Sequence, residues 1–275
     1  TLNNLALVSG DTNLSLSGEY VASKQGRNAA KINVDGRNVV FMSDWVSSSE
    51  SNESTPLKKS LKEVLTTFEM ISQSHNIDVE VSVDDSKILP AERVFDSLTL
   101  HASLAENLLS INELTIQDDT GNELSLTSSA NLSQQSPELK LNISSEFKDL
   151  ENSLYKELVS QFVSGNFPSE LKALLEFEGS LDQGDISTDL TLLDSTVRLK
   201  GSVSDPLGEP YFPDLEAQIV SKDLSDLFVM VSSQKPENFK LTGETDLFAN
   251  VKTQNEVISV SEIQGRFLGT SLKGN

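Results

Sequence analysis

Apolar and polar residues alternate through most of this chain, the period-two pattern of strands that bury one face and wet the other. The clearest runs are Leu98-Thr99-Leu100, Leu124-Ser125-Leu126, Leu139-Lys140-Leu141-Asn142-Ile143, Leu190-Thr191-Leu192 and Val197-Arg198-Leu199. Turn-forming clusters separate such runs: Asp118 to Asn122, Asp182 to Asp185, and Asp205 to Gly208. Short strands broken at regular intervals by turns predict a mostly β chain, an antiparallel meander of roughly 12–16 strands. Two stretches depart from period two. From Thr55, TPLKKSLKEVLTTFEMISQS has a capping Thr, Pro56 at the first helical position, and Leu57, Leu61, Val64, Leu65, Phe68 and Ile71 on one stripe. From Asp149, DLENSLYKELVSQFVSG sets Leu150, Leu154, Leu158, Phe162 and Val163 on one side and closes on Gly165. Both are expected to be amphipathic helices that cover part of a sheet face or cap an end of it. The Ser-rich run 47–54 reads as a flexible connection.

One strand pattern recurs, apolar residues at alternate positions closing on Gly or Ser. Its copies are Leu14-Ser-Leu16-Ser-Gly18, Leu124-Ser-Leu126-Thr-Ser128, Val197-Arg-Leu199-Lys-Gly201 and Thr270-Ser-Leu272-Lys-Gly274. Leu126 and Leu199 are 73 residues apart, as are Leu199 and Leu272, whereas Leu16 and Leu126 are 110 apart. The longer interval holds the Ser-rich connection and the first helix. After both middle copies come a Pro, a strand and an acidic Leu-terminated stretch: Pro137 to Asp149-Leu150, then Pro213 to Asp226-Leu227. A matched interval with a shared downstream order indicates divergent repeats. The expected organisation is a partial β-repeat at 1–46, the connection and helix at 47–74, a β-repeat at 75–150, and a helix at 151–167. A β-repeat at 168–236 and a partial last repeat at 237–275 complete one continuous elongated domain. The strand-like opening TLNNLALVSG and closing GTSLKGN suggest a piece cut from a longer chain.

Composition narrows the chemistry. The 42 acidic residues against 21 basic ones give a formal charge of −21 across 275 residues, which argues against nucleic acid as a partner. It argues equally against direct docking of this segment on an anionic membrane. With no Cys there is no disulfide framework, thiolate metal site or cysteine nucleophile. Aromatic residues are 6%, too few for a stacking strip, and Trp45 reads as a core anchor. No stretch approaches 18 uninterrupted apolar residues. His75 follows the first helix and His101 lies in LTLHASL in phase with the polar positions; both read as surface or satisfied histidines. The pairs Asp84-Asp85 and Asp118-Asp119 read as turns, leaving open only a weak Ca²⁺ site among turn aspartates. Phosphate-loop, nucleophile-elbow, zinc-helix and calcium-loop motifs are all absent from the sequence. No catalytic residue, metal ligand or cofactor is therefore assigned, and the chain is not read as an enzyme.

Residues 239–275, FKLTGETDLFANVKTQNEVISVSEIQGRFLGTSLKGN, run as a strand, a strand ending in a small residue, and a GRFLGTSLKG close. Residues 215–227, LEAQIVSKDLSDL, close a unit with alternating apolar positions and Asp-Leu; residues 31–45, KINVDGRNVVFMSDW, look like a variant. In this cadence the chain resembles the AsmA-like family of Gram-negative envelope proteins, over nearly its whole length apart from the connection and the two helices. The resemblance implies an elongated sheet curled into an apolar groove, a periplasmic location, and an inner-membrane anchor outside these residues. It further implies a role in moving phospholipid toward the outer membrane, with phospholipid acyl chains and other envelope proteins as partners.

On that reading the groove lining is expected to include Leu98, Leu100, Leu124, Leu126, Leu139, Leu141 and Ile143 in the earlier strands. Leu190, Leu192, Val197, Leu199, Leu241 and Leu272 are expected to line the later ones. At about 0.8 kcal/mol per buried CH₂, a 16-carbon chain held there would gain on the order of 12 kcal/mol. Headgroups are expected at the groove mouth, near Arg198 and Lys200. The alternative is a structural or adhesive bacterial β-repeat protein whose apolar face is its own closed core and holds no lipid.

Overall fold

The period-two runs fold as strands. The computed structural model describes residues 2–24, 26–42, 57–89, 93–133, 136–150, 153, 155–156, 170–192, 194–207, 210–225, 241–254 and 257–274. Along the chain come β1 (Leu2–Ser9), β2 (Thr12–Val21), β3 (Asn28–Arg37), β4 (Val40–Met42), the helix α1 (Leu57–Ser72), β5 (His75–Leu89), β6 (Arg93–Ala105), β7 (Leu108–Asp118), β8 (Glu123–Asn131) and β9 (Glu138–Phe147). There follow β10 (Leu171–Gly179), β11 (Gln183–Leu192), β12 (Ser195–Ser204), β13 (Tyr211–Asp223), β14 (Thr242–Gln254), β15 (Val257–Phe267) and β16 (Thr270–Lys273). In β9 the alternation is complete: Leu139, Leu141 and Ile143 are half-buried and Phe147 is buried, between exposed Glu138, Lys140, Asn142, Ser144 and Glu146.

The chain forms two compact units, one of residues 1–119 and 123–141, the other of residues 120–122 and 142–275, so the division passes through β9. In the first unit the ladder order is β1-β2-β3-β5-β6-β7-β8, with β4 continuing alongside β5. Neighbours there are antiparallel, except that β3 and β4 each lie parallel to β5. This parallel step departs from a pure meander. Parallel neighbours cannot be joined by a tight hairpin and need a crossover, which the segment carrying α1 supplies. In the second unit β10 to β16 pair in chain order, antiparallel throughout.

The recurring strand pattern falls on β2, β8, β12 and β16, so the 73-residue interval corresponds to every fourth strand of the chain. In the second unit β12 and β16 run in the same direction after four antiparallel steps. In the first unit β2 and β8 also run the same way, although five steps separate them, because one of the five is parallel. The crossover thus keeps a longer interval in phase.

α1 packs against β5 and β6. Its Ser72 hydroxyl donates to Asn107 Oδ1 at 2.8 Å in the β6–β7 turn, and Leu65 is its buried apolar residue. The helix cap at Thr55 and Pro56, Trp45 and the Ser-rich run 47–54 lie outside the described residues. So does nearly all of the second expected helix, 151–167, of which only Ser153, Tyr155 and Lys156 are described. Tyr155 is buried, with its ring centroid 5.0 Å from that of Phe147. Asp84 and Asp85 do not form a turn: both lie inside β5, where Asp85 Oδ2 accepts from Arg37 Nε at 3.0 Å. Alternation breaks at that pair: both aspartates are exposed between buried Val83 and buried Ser86, and Asp85 takes a φ of +48°, so β5 carries a local irregularity that turns both carboxylates to water.

Candidate functional site

Cross-strand partners share a face, so the register converts sequence alternation into rows. In the first unit one row of aliphatic residues crosses seven strands: Leu5, Leu16, Val34, Val81, Leu100, Leu114 and Leu126. The next row carries Leu98 and Leu124, joined through Ile116, with Val83 beside Leu98. In the second unit a row runs Ala173, Leu190, Val197, Ile219, Leu247, Gly265 and Leu272. Beside it lie Leu175, Thr188, Leu199, Ala217 and Ala249. No charged side chain occupies these rows.

Exposure varies systematically along the strands of this face. In the first unit Leu104 is 2% exposed and Ala130 and Leu132 are buried near one end of the strands, and Val83, midway along β5, is 2% exposed. Between them Val79, Val81, Leu100, Leu114 and Leu126 are all half-buried. In the second unit Leu171, Leu192, Ser195, Ser221 and Thr245 are buried at one end, and Val203 and Leu215 toward the other. Leu175, Leu190, Val197, Leu199 and Ile219 between them are half-buried. The second unit's apolar face is therefore closed by protein toward both strand ends and the first unit's near one end, and the rest of each face is left partly open. The buried hydroxyls at one end serve the backbone: Asp223 N donates to Ser221 Oγ at 3.1 Å and Leu268 N to Thr245 Oγ1 at 3.2 Å. Unserved, those amides would each cost roughly 1–3 kcal/mol.

The expected lining residues are placed as follows. Leu98, Leu100, Leu124 and Leu126 share the apolar face of the first unit, and Leu190, Val197 and Leu199 that of the second, with Leu192 buried at the latter's end. Leu139, Leu141 and Ile143 share the half-buried side of β9. Leu272 is on the apolar row but on the last strand, 42% exposed. Leu241 stands apart from the rows: it precedes β14, its amide donating to Ser225 Oγ at 2.9 Å and its carbonyl accepting from Leu224 N at 3.0 Å. Arg198 and Lys200 alternate with Val197 and Leu199 and so lie on the opposite, polar face, where Arg198 Nε donates to Asp189 Oδ1 at 2.9 Å. Their mid-strand position on the polar face sets them apart from the apolar rows.

The polar faces carry ion pairs. Lys172 Nζ sits 3.0 Å from Glu146 Oε1, and this hydrogen bond holds the Glu146 carboxyl below its ordinary range. In the first unit Lys31 Nζ is 2.9 Å from Glu80 Oε1 and 3.6 Å from Asp78 Oδ2. The bond to Glu80 is the main cause that raises the Lys31 ammonium above its ordinary pKa. His101 Nε2 lies 2.9 Å from Asp78 Oδ1. Asp78, Glu80 and His101 thereby form one cluster, with a ligand-capable atom of each within 4.8 Å of the others. Alternation alone puts all three on the polar face; only the pairing of Glu80 opposite His101 brings them together. No protein-family model, curated protein or solved structure matches this chain.

Proposed function

We propose that the apolar face of each unit holds acyl chains, and that the chain is a segment of an AsmA-like envelope protein whose sheet is curled into a hydrophobic groove. In this reading the segment holds or conducts phospholipid between inner and outer membrane from the periplasm, with an inner-membrane anchor elsewhere in the protein, and catalyses no reaction. The observation that carries the proposal is the exposure profile: uncharged rows that are half-open over most of their strands, beside residues that protein buries. A contiguous apolar surface left unfilled by protein marks an interaction site rather than a finished core. Six interstrand steps of about 4.8 Å give the first unit's row a length of roughly 29 Å. One acyl chain spans roughly 15 Å, half the hydrocarbon thickness of a bilayer, so it fits along the row with room to slide. Near-equivalent aliphatic contacts along a row offer no deep local trap.

The test is mass spectrometry of lipids that co-purify with the protein from a bacterial periplasm after a high-salt wash. Stoichiometric phospholipid in the wild type, lost in a folded Leu126→Asp/Leu199→Asp double variant, is the expected result. A stable lipid-free protein would leave the closed-core structural or adhesive β-repeat in its place. Unchanged lipid in the double variant would move the binding surface off these rows.

A further inference from the structure

The geometry points to a zinc site on the polar face of the first unit, formed by Asp78, Glu80 and His101. Asp78 and Glu80 are two apart on β5 and so project to the same side. His101 is the direct cross-strand partner of Glu80 on β6. Two alternate residues on one strand and one opposite them present three ligands to a single point. One ligand-capable atom from each lies within 4.8 Å of the others. Three ligands about 2.0–2.2 Å from a zinc ion can be at most about 4.4 Å apart, so small side-chain rotations close the set. One imidazole nitrogen and two carboxylate oxygens suit zinc, and three protein ligands leave a fourth position for water. The two carboxylates also balance the charge of the ion.

A second, separate observation concerns neighbouring amides. Asn33 is the register partner of Glu80 on β3, and Asn76 precedes Asp78 by two residues on β5, so both share this face. Each has a buried side-chain oxygen that accepts no hydrogen bond. A buried acceptor without a donor is unfavourable, and a cation or the water it orders satisfies an amide oxygen directly. Asn76, Asp78 and Lys31 also line a depression of about 200 Å³ next to the cluster. Lys31 itself shows what the site attracts. Its ammonium lies between both carboxylates, at 2.9 and 3.6 Å, and stands in for a cation. Its side chain is 47% exposed, so zinc can displace it into solvent without burying an unpaired charge. Lys31 is thus a competitor of the metal, not a ligand.

Calorimetric titration of the whole chain with zinc chloride at neutral pH, beside calcium and magnesium chloride, tests this assignment. One zinc per chain is expected, bound more tightly than either oxygen-preferring ion. His101→Ala and the size-conserving His101→Gln are each expected to weaken zinc binding about tenfold or more. Lys31→Met is expected to strengthen it, and His75→Ala, which alters the other histidine of the chain, to leave it unchanged. No saturable zinc binding, or binding that survives both His101 variants, would overturn the site. Weaker binding in Lys31→Met would overturn the competitor role.

Discussion

At Gly201 the neighbouring strand leaves no room for a side chain. A Cβ there would run into the Asp214 carbonyl oxygen and lie 2.8 Å from Leu215 Cα. Gly18, at the same point of the recurring pattern in β2, would bring a Cβ to 2.8 Å from the Lys31 carbonyl oxygen. The small residue closing these strands therefore marks a close backbone approach. Gly274, the last of the series, has open space. Gly201→Ala is expected to cost about 1–3 kcal/mol, whereas Gly274→Ala should fall within about 0.5 kcal/mol; urea-unfolding midpoints compare them. Charge at the residue scale gives a second expectation. The Glu146 carboxyl is held below 4.5 chiefly by its hydrogen bond with Lys172. A carboxyl depressed in the folded state adds stability above its unfolded pKa, and that increment disappears as pH falls through the folded value. Because Glu146 is on the surface, solvent screens the increment to a small one. Lys172→Met should return the Glu146 titration toward 4.5, read by carbon-detected NMR of the carboxyl. An unshifted titration would show that the pair does not form in solution.

At the scale of elements, α1 is the piece whose removal has the clearest consequence. Leu65 is buried at 4% exposure, and α1 bridges the parallel step between β3 and β5. Leu65→Ala is expected to destabilise the chain by about 2–5 kcal/mol, measured by urea unfolding. Val64→Ala, on the exposed side at 46%, should cost far less. What was legible at this scale follows from range. Period two is local, so the strands, their turns and the in-or-out phase of Leu98, Leu100, Leu124, Leu126, Leu190 and Leu199 could be read from neighbouring residues alone. The stripe of α1 could be read for the same reason, although its Val64 proved exposed. The parallel pairing of β3 with β5 could not, because nothing local distinguishes a strand that returns antiparallel from one that crosses over. The cluster of Asp78, Glu80 and His101 was hidden for a related reason. The alternation sets each on the polar side, but which residue stands opposite which depends on register between β5 and β6. Leu241 immediately precedes β14, and sequence alternation alone does not separate a Leu beside a strand from one within it.

For the whole molecule, the question is whether the 73-residue interval is a structural unit or a coincidence of common residues. Register provides a sharp test. In β8, Leu124 and Leu126 face the apolar side, with Leu126 opposite Leu114 of β7. In β12, Leu199 and Gly201 face the corresponding side of the second unit, with Gly201 opposite Leu215 of β13. Deleting residues 127–199 joins Leu126 to Lys200 and makes one strand, Glu123-Leu-Ser-Leu126-Lys200-Gly-Ser-Val-Ser204. Its apolar side reads Leu124, Leu126, Gly201 and Val203, and its polar side Glu123, Ser125, Lys200 and Ser202, so both parent alternations survive the junction. One half keeps Glu123 to Leu126, which pair with Gln117 to Leu114 of β7, and the other keeps Lys200, Gly201 and Ser202, which pair with Glu216, Leu215 and Asp214 of β13. Deleting one residue fewer, 128–199, leaves Thr127 before Lys200 and shifts the phase. Lys200 and Ser202 then turn onto the apolar face while Gly201 and Val203 turn out, because side chains alternate with a period of two. If the repeat is real, the 73-residue deletion gives a monomer with strand-rich circular dichroism and one cooperative unfolding transition. The 72-residue deletion should aggregate or unfold without cooperativity. Two deletions that behave alike would mean that β8 and β12 do not occupy equivalent places, and that the interval reflects only the frequency of Leu and Ser.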